Sequence, residues 1–131
     1  MKNILIVEDD PVLLDALKIK LEKDEYQVLK APDGQTGLEM ARKHKPDFIL
    51  LDLILPVMDG MTMLRKLRET DSWGKTVPVI ILTNLSGDSN QIINDVTDLE
   101  PSYYLTKADL KLDELLEKIK EVLVKPAEIK D

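Results

Sequence analysis

The sequence predicts a doubly wound α/β domain: five β-α units forming one parallel five-stranded sheet in the order 2-1-3-4-5, with helices on both faces. Three observations carry this. Strand-like and helix-like patterns alternate five times along 131 residues, with turn signals and short connections between them. Residues 4–7, 48–51 and 79–82 are uninterrupted apolar runs, the pattern of strands covered on both faces. Each run ends in oxygen-bearing side chains: Glu8-Asp9-Asp10, Asp52 and Thr83-Asn84. Open parallel sheets collect their chemistry at the carboxyl ends of the strands, so these three ends imply one polar pocket.

Residues 3–7 read as the first strand. Asp10-Pro11 then starts helix one, with Asp as N-cap and Pro at the first helical position. Leu13, Leu14, Leu17 and Leu21 give that helix its buried face. Residues 27–30 form strand two. Asp33-Gly34 opens helix two, which runs to about Lys43 and places His44 on the surface; Pro46 separates it from strand three at 47–51. Helix three spans roughly 61–69 after Gly60, and Thr70 to Thr76 reads as a polar loop covered by Trp73. Met58, Met61 and Met63 read as core filling at the start of helix three rather than as a partner surface. Pro78 stands before strand four (78–82). A Ser86-Gly87-Asp88 turn leads to helix four, with Ile92, Ile93 and Val96 apolar. Strand five covers about 102–106. Helix five starts near Asp109 and buries Leu112, Leu115, Leu116, Ile119, Val122 and Leu123; Lys125-Pro126 ends it. The expected organisation is one domain over residues 1–125 and a short tail over 126–131.

Bulk properties exclude several classes. Hydrophobic residues make up 44% and charged ones 33%, an ordinary globular balance. A net charge of −7 argues against direct nucleic-acid or anionic-membrane binding by the surface as a whole. Cysteine is absent and His44 is the only histidine, which removes disulfide frameworks, thiolate sites and multi-histidine metal sites. No apolar stretch approaches the ~20 residues of a membrane span. With a strand pattern at the N-terminus and no signal segment, a cytoplasmic location is the expectation.

The array Glu8-Asp9, Asp52, Thr83 and Lys107, each after its own strand, with Asp52-Leu53-Ile54-Leu55-Pro56-Val57-Met58-Asp59-Gly60 between, resembles the receiver domain of two-component response regulators, a flavodoxin-like fold of the CheY-like superfamily. The resemblance covers residues 2 to about 124. It implies that Asp52 is the phosphoacceptor. A carboxylate is a weak nucleophile, but in-line phosphoryl transfer demands mainly positioning and charge neutralisation. It implies that Glu8 and Asp9 hold a divalent ion beside Asp52, with the backbone carbonyl of Ile54 completing the protein ligands. Hard oxygen donors point to Mg²⁺, with Mn²⁺ as a substitute. Asp10 is better explained as the helix cap. Thr83 would meet the phosphoryl oxygens, and Lys107 would pair with Asp52 before phosphorylation and with the phosphate after it. Tyr104, three residues before Lys107, stands where the family has its switch aromatic; Thr83 and Tyr104 would move together and reshape the face formed by helix four, strand five and helix five.

The implied function is a signalling switch rather than an enzyme, catalysing only its own phosphorylation and dephosphorylation. Implied partners are a sensor histidine kinase or phosphotransfer protein and, through the switch face, a downstream protein target or a second copy. A stand-alone receiver is the expectation; a receiver cut from a longer regulator is the alternative. So is a pseudo-receiver that keeps the fold and takes no phosphate. Three departures from the family pattern bear on that choice. Ala108 follows Lys107 where proline with a cis bond is usual. A cis bond before Ala costs about 2.5–4 kcal/mol, so a trans bond or a rearranged loop is expected, and the reach of Lys107 hangs on it. Asn84 replaces a small residue beside the pocket, and Glu100-Pro101 replaces a Gly-Ala pair. Two rivals fit less well. Aspartate-nucleophile phosphatases carry a second Asp two residues on as general acid, where this chain has Ile54. A flavin or nucleotide binder needs a Gly-rich loop after strand one, where this chain has Glu8-Asp9-Asp10.

Overall fold

The computed structural model describes residues 1–84 and 98–129. Its elements are β1 (Asn3–Val7), α1 (Pro11–Lys23), β2 (Gln27–Ala31), α2 (Gly34–His44), β3 (Phe48–Leu51), α3 (Gly60–Arg68), α4 (Ser72–Thr76), β4 (Val79–Thr83), β5 (Tyr103–Thr106), a 3₁₀ turn (Lys107–Asp109) and α5 (Leu112–Ile129). The expected helix with Ile92, Ile93 and Val96 lies outside the described residues. The sheet order is β2-β1-β3-β4-β5 and every pairing is parallel, as the apolar runs and short connections require.

Strand side chains alternate between two cores. Leu5, Val7, Ile49, Leu51, Val79 and Ile81 pack with Leu38 and Ala41 of α2 and Met63, Leu64 and Leu67 of α3. Ile4, Ile6, Phe48, Leu50, Ile80 and Leu82 pack with Leu14, Leu17 and Leu21 of α1 and Leu115, Leu116, Ile119 and Val122 of α5. β1, β3 and β4, apolar along their length because both faces are buried, are parallel neighbours, so their carboxyl ends lie side by side.

Aspartates start the helices. Asp10 accepts from the Val12 and Leu13 amides, Asp33 from Thr36 and Asp59 from Thr62, each satisfying amides that a helix start leaves open. His44 is exposed; Met63 is buried, and Met58 and Met61 pack against the α2/α3 core.

The structure departs from the sequence expectation in three places. The supposed loop over Thr70 to Thr76 contains the one-turn helix α4, because Asp71 caps the Gly74 amide at 2.8 Å; one turn is too short to show a hydrophobic period. Trp73 is half-buried against the α2/α3 core. Helix five does not start at Asp109: Leu110 takes an extended conformation after the 3₁₀ turn and delays α5 to Leu112. Nor does the helix end at Lys125-Pro126, since α5 runs to Ile129. A proline deletes one amide donor, and the bonds on either side of that gap still carry helical backbone.

Candidate functional site

Among the described residues the buried polar side chains are Glu8, Asp52 and Thr83, and all three stand at the carboxyl edge. Glu8 follows β1, Asp52 follows β3 and Thr83 ends β4. Buried charge demands a partner, and Lys107 supplies it. Its Nζ lies 2.8 Å from Asp52 Oδ2 and 2.7 Å from Glu8 Oε1. The remaining oxygens are engaged by backbone: Glu8 Oε2 accepts from the Asp10 amide at 3.0 Å, and Asp52 Oδ1 from the Ile54 amide at 3.1 Å. Asp9 is exposed beside them. One oxygen each from Glu8, Asp9 and Asp52 lies within 4.8 Å of the others.

The cluster is short of positive charge. Two carboxylates at that separation repel by about 3.5 kcal/mol at an effective dielectric of 20. Burial pushes the Glu8 pKa above its ordinary 4.5, against the opposing pull of Lys107 and the Asp10 amide. Burial alone would lower the Lys107 pKa; its hydrogen bonds to Asp52 and Glu8 outweigh that and hold it above 10.5. Three carboxylates against one ammonium leave a formal surplus of two negative charges. An all-oxygen donor set with that surplus fits a hard divalent cation, and each carboxylate keeps lone pairs beyond those already used.

The loop after Asp52 is tightly built. Gly60 donates its amide to the Leu53 carbonyl at 2.9 Å, and a Cβ on Gly60 would collide with the Asp52 carbonyl and the Leu53 Cα. Val57 adopts φ 67°, an outlier for a β-branched residue, inside a turn closed by the Met58 amide on the Pro56 carbonyl. Val57 and Ile54 are exposed on the rim.

The cleft is lined by Asp9, Asp10, Asp52, Ile54, Asn84 and Lys107. Asn84 thus stands at the mouth, as its position after Thr83 suggested. Thr83 is fully buried and pairs in register with Thr106. Ala108 does not keep Lys107 from Asp52: no cis peptide bond occurs among the described residues, and the Lys107–Asp109 turn presents the ammonium to both carboxylates. Tyr103 and Tyr104 face opposite cores. Tyr103 donates to Glu121 Oε2 at 2.8 Å, whereas the Tyr104 ring packs on the α2/α3 core with its hydroxyl buried and without a hydrogen-bond partner among the described residues. Glu100 takes φ 54°, the left-handed region that a glycine would occupy without strain.

Sequence reasoning paired Lys107 with Asp52 and missed its equally short contact with Glu8. The signal was present: an acid at the end of the neighbouring strand β1. It also missed Arg68, whose guanidinium bonds the carbonyls of Gly74, Val77, Leu99 and Glu100. Nothing in a single sequence separates that arginine from Arg65, which is exposed one turn earlier.

Comparison with known proteins gives one answer. The family described as the response regulator receiver domain matches residues 4–120. The chain is 38% identical over 92 residues to protein PilH of Pseudomonas aeruginosa, covering 70% of this chain and 75% of PilH. It is 37% identical over 123 residues to the DNA-binding dual master transcriptional regulator RpaA of Synechocystis, covering 94% of this chain and 49% of RpaA. The match to the transcriptional regulatory protein CseB of Streptomyces coelicolor, 43% identical, covers 62% of this chain and 33% of CseB. The chain therefore spans a third to a half of several curated relatives. In structure it resembles a response regulator receiver domain protein of Methanospirillum hungatei, with a TM-score of 0.87, 30% identity and 98% of each chain covered. The BeF₃-activated receiver domain of Klebsiella pneumoniae RstA gives 0.80 at 33% identity, over 92% of this chain and 97% of that one.

Proposed function

This chain belongs to the response regulator receiver domain family, and from that premise we propose that Asp52 is its phosphoacceptor and that phosphorylation there switches its contacts with a protein partner. The observation that carries the reading is Asp52 itself: a buried carboxylate at a strand end, held by Lys107 and flanked by Glu8 and Asp9. Asp52 would attack the phosphorus of a phosphohistidine on a histidine kinase or phosphotransfer protein. The new O–P bond forms as the N–P bond breaks, and the imidazole leaves and takes a proton. Water attack on phosphorus later releases inorganic phosphate and restores the carboxylate.

Glu8, Asp9, Asp52 and the Ile54 carbonyl would hold Mg²⁺, which Mn²⁺ could replace. Bound there, the ion supplies positive charge to the transferring phosphoryl oxygens. Lys107 adds a second charge: its ammonium already touches Asp52 and is within reach of an oxygen added to it. Thr83 donates its hydroxyl to the phosphoryl group, and the Tyr104 ring changes its packing as Thr83 moves. The Tyr104 hydroxyl, buried and without a partner among the described residues, gives the ring no hydrogen bond to lose on moving. The readout surface is the face carrying β5 and α5. Phosphorylation and its reversal are the only chemistry in this reading, and the site of action is the cytoplasm.

The test is intact-protein mass after incubation with Mg²⁺ and a small-molecule phosphodonor. Wild type gains one phosphoryl group, about 80 Da as HPO₃; Asp52→Asn and chelator-treated wild type gain none. A folded wild type that stays at its starting mass removes the reading and leaves a phosphate-independent interaction module. A receiver joined to an output domain is a second reading, favoured by the greater lengths of RpaA and CseB, while the 75% coverage of PilH favours the stand-alone form. The mass of the native protein, detected in cells with an antibody to this domain, separates the two.

A further inference from the structure

Arg68 closes α3 on the side of the sheet opposite the acidic cleft. Its Nε donates to the Leu99 carbonyl at 2.8 Å and its Nη2 to Glu100 at 3.0 Å. Its Nη1 donates to Gly74 at 3.0 Å and Val77 at 2.7 Å. All four acceptors are neutral backbone carbonyls. They belong to two separate segments, one leading into β4 and the other into β5. Four of the five donors of a rigid guanidinium fork are thus used to join three pieces of chain.

The segment leading into β5 is the one that needs holding. Glu100 adopts the left-handed φ of 54° immediately before Pro101, a pairing that both residue types resist. Arg68 grips the carbonyl on each side of that Glu100 linkage. Only two residues further on, the Ser102 amide joins β4 through the Val79 carbonyl at 2.7 Å. β5 is an edge strand paired with β4 alone, and all four of its residues are half-buried. An edge strand is bonded along one side only, so its placement leans on the segment that leads into it. Lys107 follows directly on β5, so a shift of the strand moves the ammonium.

The other end of α3 is tied to the site. Gly60 bonds the Leu53 carbonyl and rests on the Asp52 backbone. The nine residues of α3 form a strut about 13 Å long at 1.5 Å per residue. One end bears on the residues after β3 and the other, through Arg68, on the approach to β5. The two partners of the Asp52–Lys107 ion pair are therefore referenced to the same helix.

We infer that Arg68 is a positioning residue for Lys107: acting through the 99–100 carbonyls and β5, it sets where the Lys107 ammonium stands over Asp52 and Glu8. The inference rests on the proposed function only for its phosphoryl readout. Arg68 touches none of the cleft residues, and neutral substitution there leaves every group of the cleft chemically unchanged.

The experiment compares wild type, Arg68→Met, Arg68→Lys and a stability control, Leu21→Val, in the α1/α5 core. Two quantities are read: the ¹⁵Nζ ammonium signal of Lys107 without phosphodonor, and the half-life of the aspartyl-phosphate. Arg68→Met is expected to shift or erase the protected Lys107 signal. It should change the half-life by roughly threefold or more, modest against the ~100-fold that a 1 Å misplacement can cost. Arg68→Lys, with one point charge in place of the fork, falls between. Leu21→Val loses stability and keeps both readouts at wild-type values. Wild-type signals in folded Arg68→Met and Arg68→Lys would overturn the inference, as would equal changes in Leu21→Val. If Arg68→Met does not fold, Arg68→Lys decides. If wild type accepts no phosphoryl group, the proposed function fails, and the Lys107 signal still decides the role of Arg68.

Discussion

At the carboxyl edge of the sheet Lys107 sits among three carboxylates; at the amino edge Arg68 sits among four carbonyls. Both are partly buried cations reached by several acceptors, yet they do different things. Lys107 leaves its surroundings two negative charges in surplus, so the carboxyl edge could hold a cation. Arg68 faces neutral acceptors that engage four of its five donors, so it is held by hydrogen bonds rather than by opposite charge. One sheet thus carries an end whose surplus charge could hold a cation and an end fastened by neutral hydrogen bonds, joined by α3. The difference lies in what the acceptors are rather than in how many contacts each cation makes.

The largest expected effect breaks the acidic end. Lys107→Met leaves Glu8 and Asp52 buried side by side without their cation, and stability in Mg²⁺-free buffer should fall by about 3 kcal/mol, the lower end for removing one partner of a buried pair, because the cleft is open. Urea titrations with and without Mg²⁺ check the second half of the claim: Mg²⁺ should restore more stability to Lys107→Met than it adds to wild type. Arg68→Met should cost about 2 kcal/mol, chiefly through lost backbone hydrogen bonds, and Mg²⁺ should recover only the smaller share that comes from a displaced Lys107. Recovery as large as in Lys107→Met would dissolve the contrast between the edges.

Two smaller effects sharpen it along β5, whose tyrosines face opposite cores. Tyr104→Phe deletes a buried hydroxyl that has no partner among the described residues and should raise stability by about 1 kcal/mol, seen as a higher melting temperature. Tyr103 is the reverse case, with its hydroxyl on Glu121 and the Lys118 ammonium 4.7 Å from its ring. The Glu121 bond raises the Tyr103 pKa above 10.0. A raised pKa means that the bond supports the fold below pH 10 and is lost as pH climbs through the folded-state value. Ultraviolet titration should show Tyr103 ionising earlier in Glu121→Gln.

Most of the fold was readable because the signals that specify it are local. Apolar runs, Asp caps and the turns at Asp10-Pro11 and Asp33-Gly34 placed four helices and five strands to within a few residues. What escaped depends on contacts between distant segments, or on single turns. α4 is too short for a period, and the helical backbone beyond Pro126 cannot be told from composition. That Glu8, Asp9, Asp52 and Lys107 come together was legible because a parallel sheet gathers strand ends; the roles expected of them came from the resemblance. That Lys107 bonds Glu8 as tightly as Asp52 depends on side-chain reach, which no spacing encodes. Arg68 was invisible for the same reason: its partners are backbone carbonyls, whose acceptors every sequence offers equally.

The central claim is that Asp52 carries the phosphoryl group. Borohydride reduction of the phosphodonor-treated protein, followed by peptide mass mapping, tests it most directly, because a reduced acyl phosphate leaves homoserine where the aspartate stood. Homoserine is expected at position 52 in the Mg²⁺-treated sample and an unmodified peptide without Mg²⁺. Homoserine at position 9 or 59, or at no position in a folded sample, would contradict it.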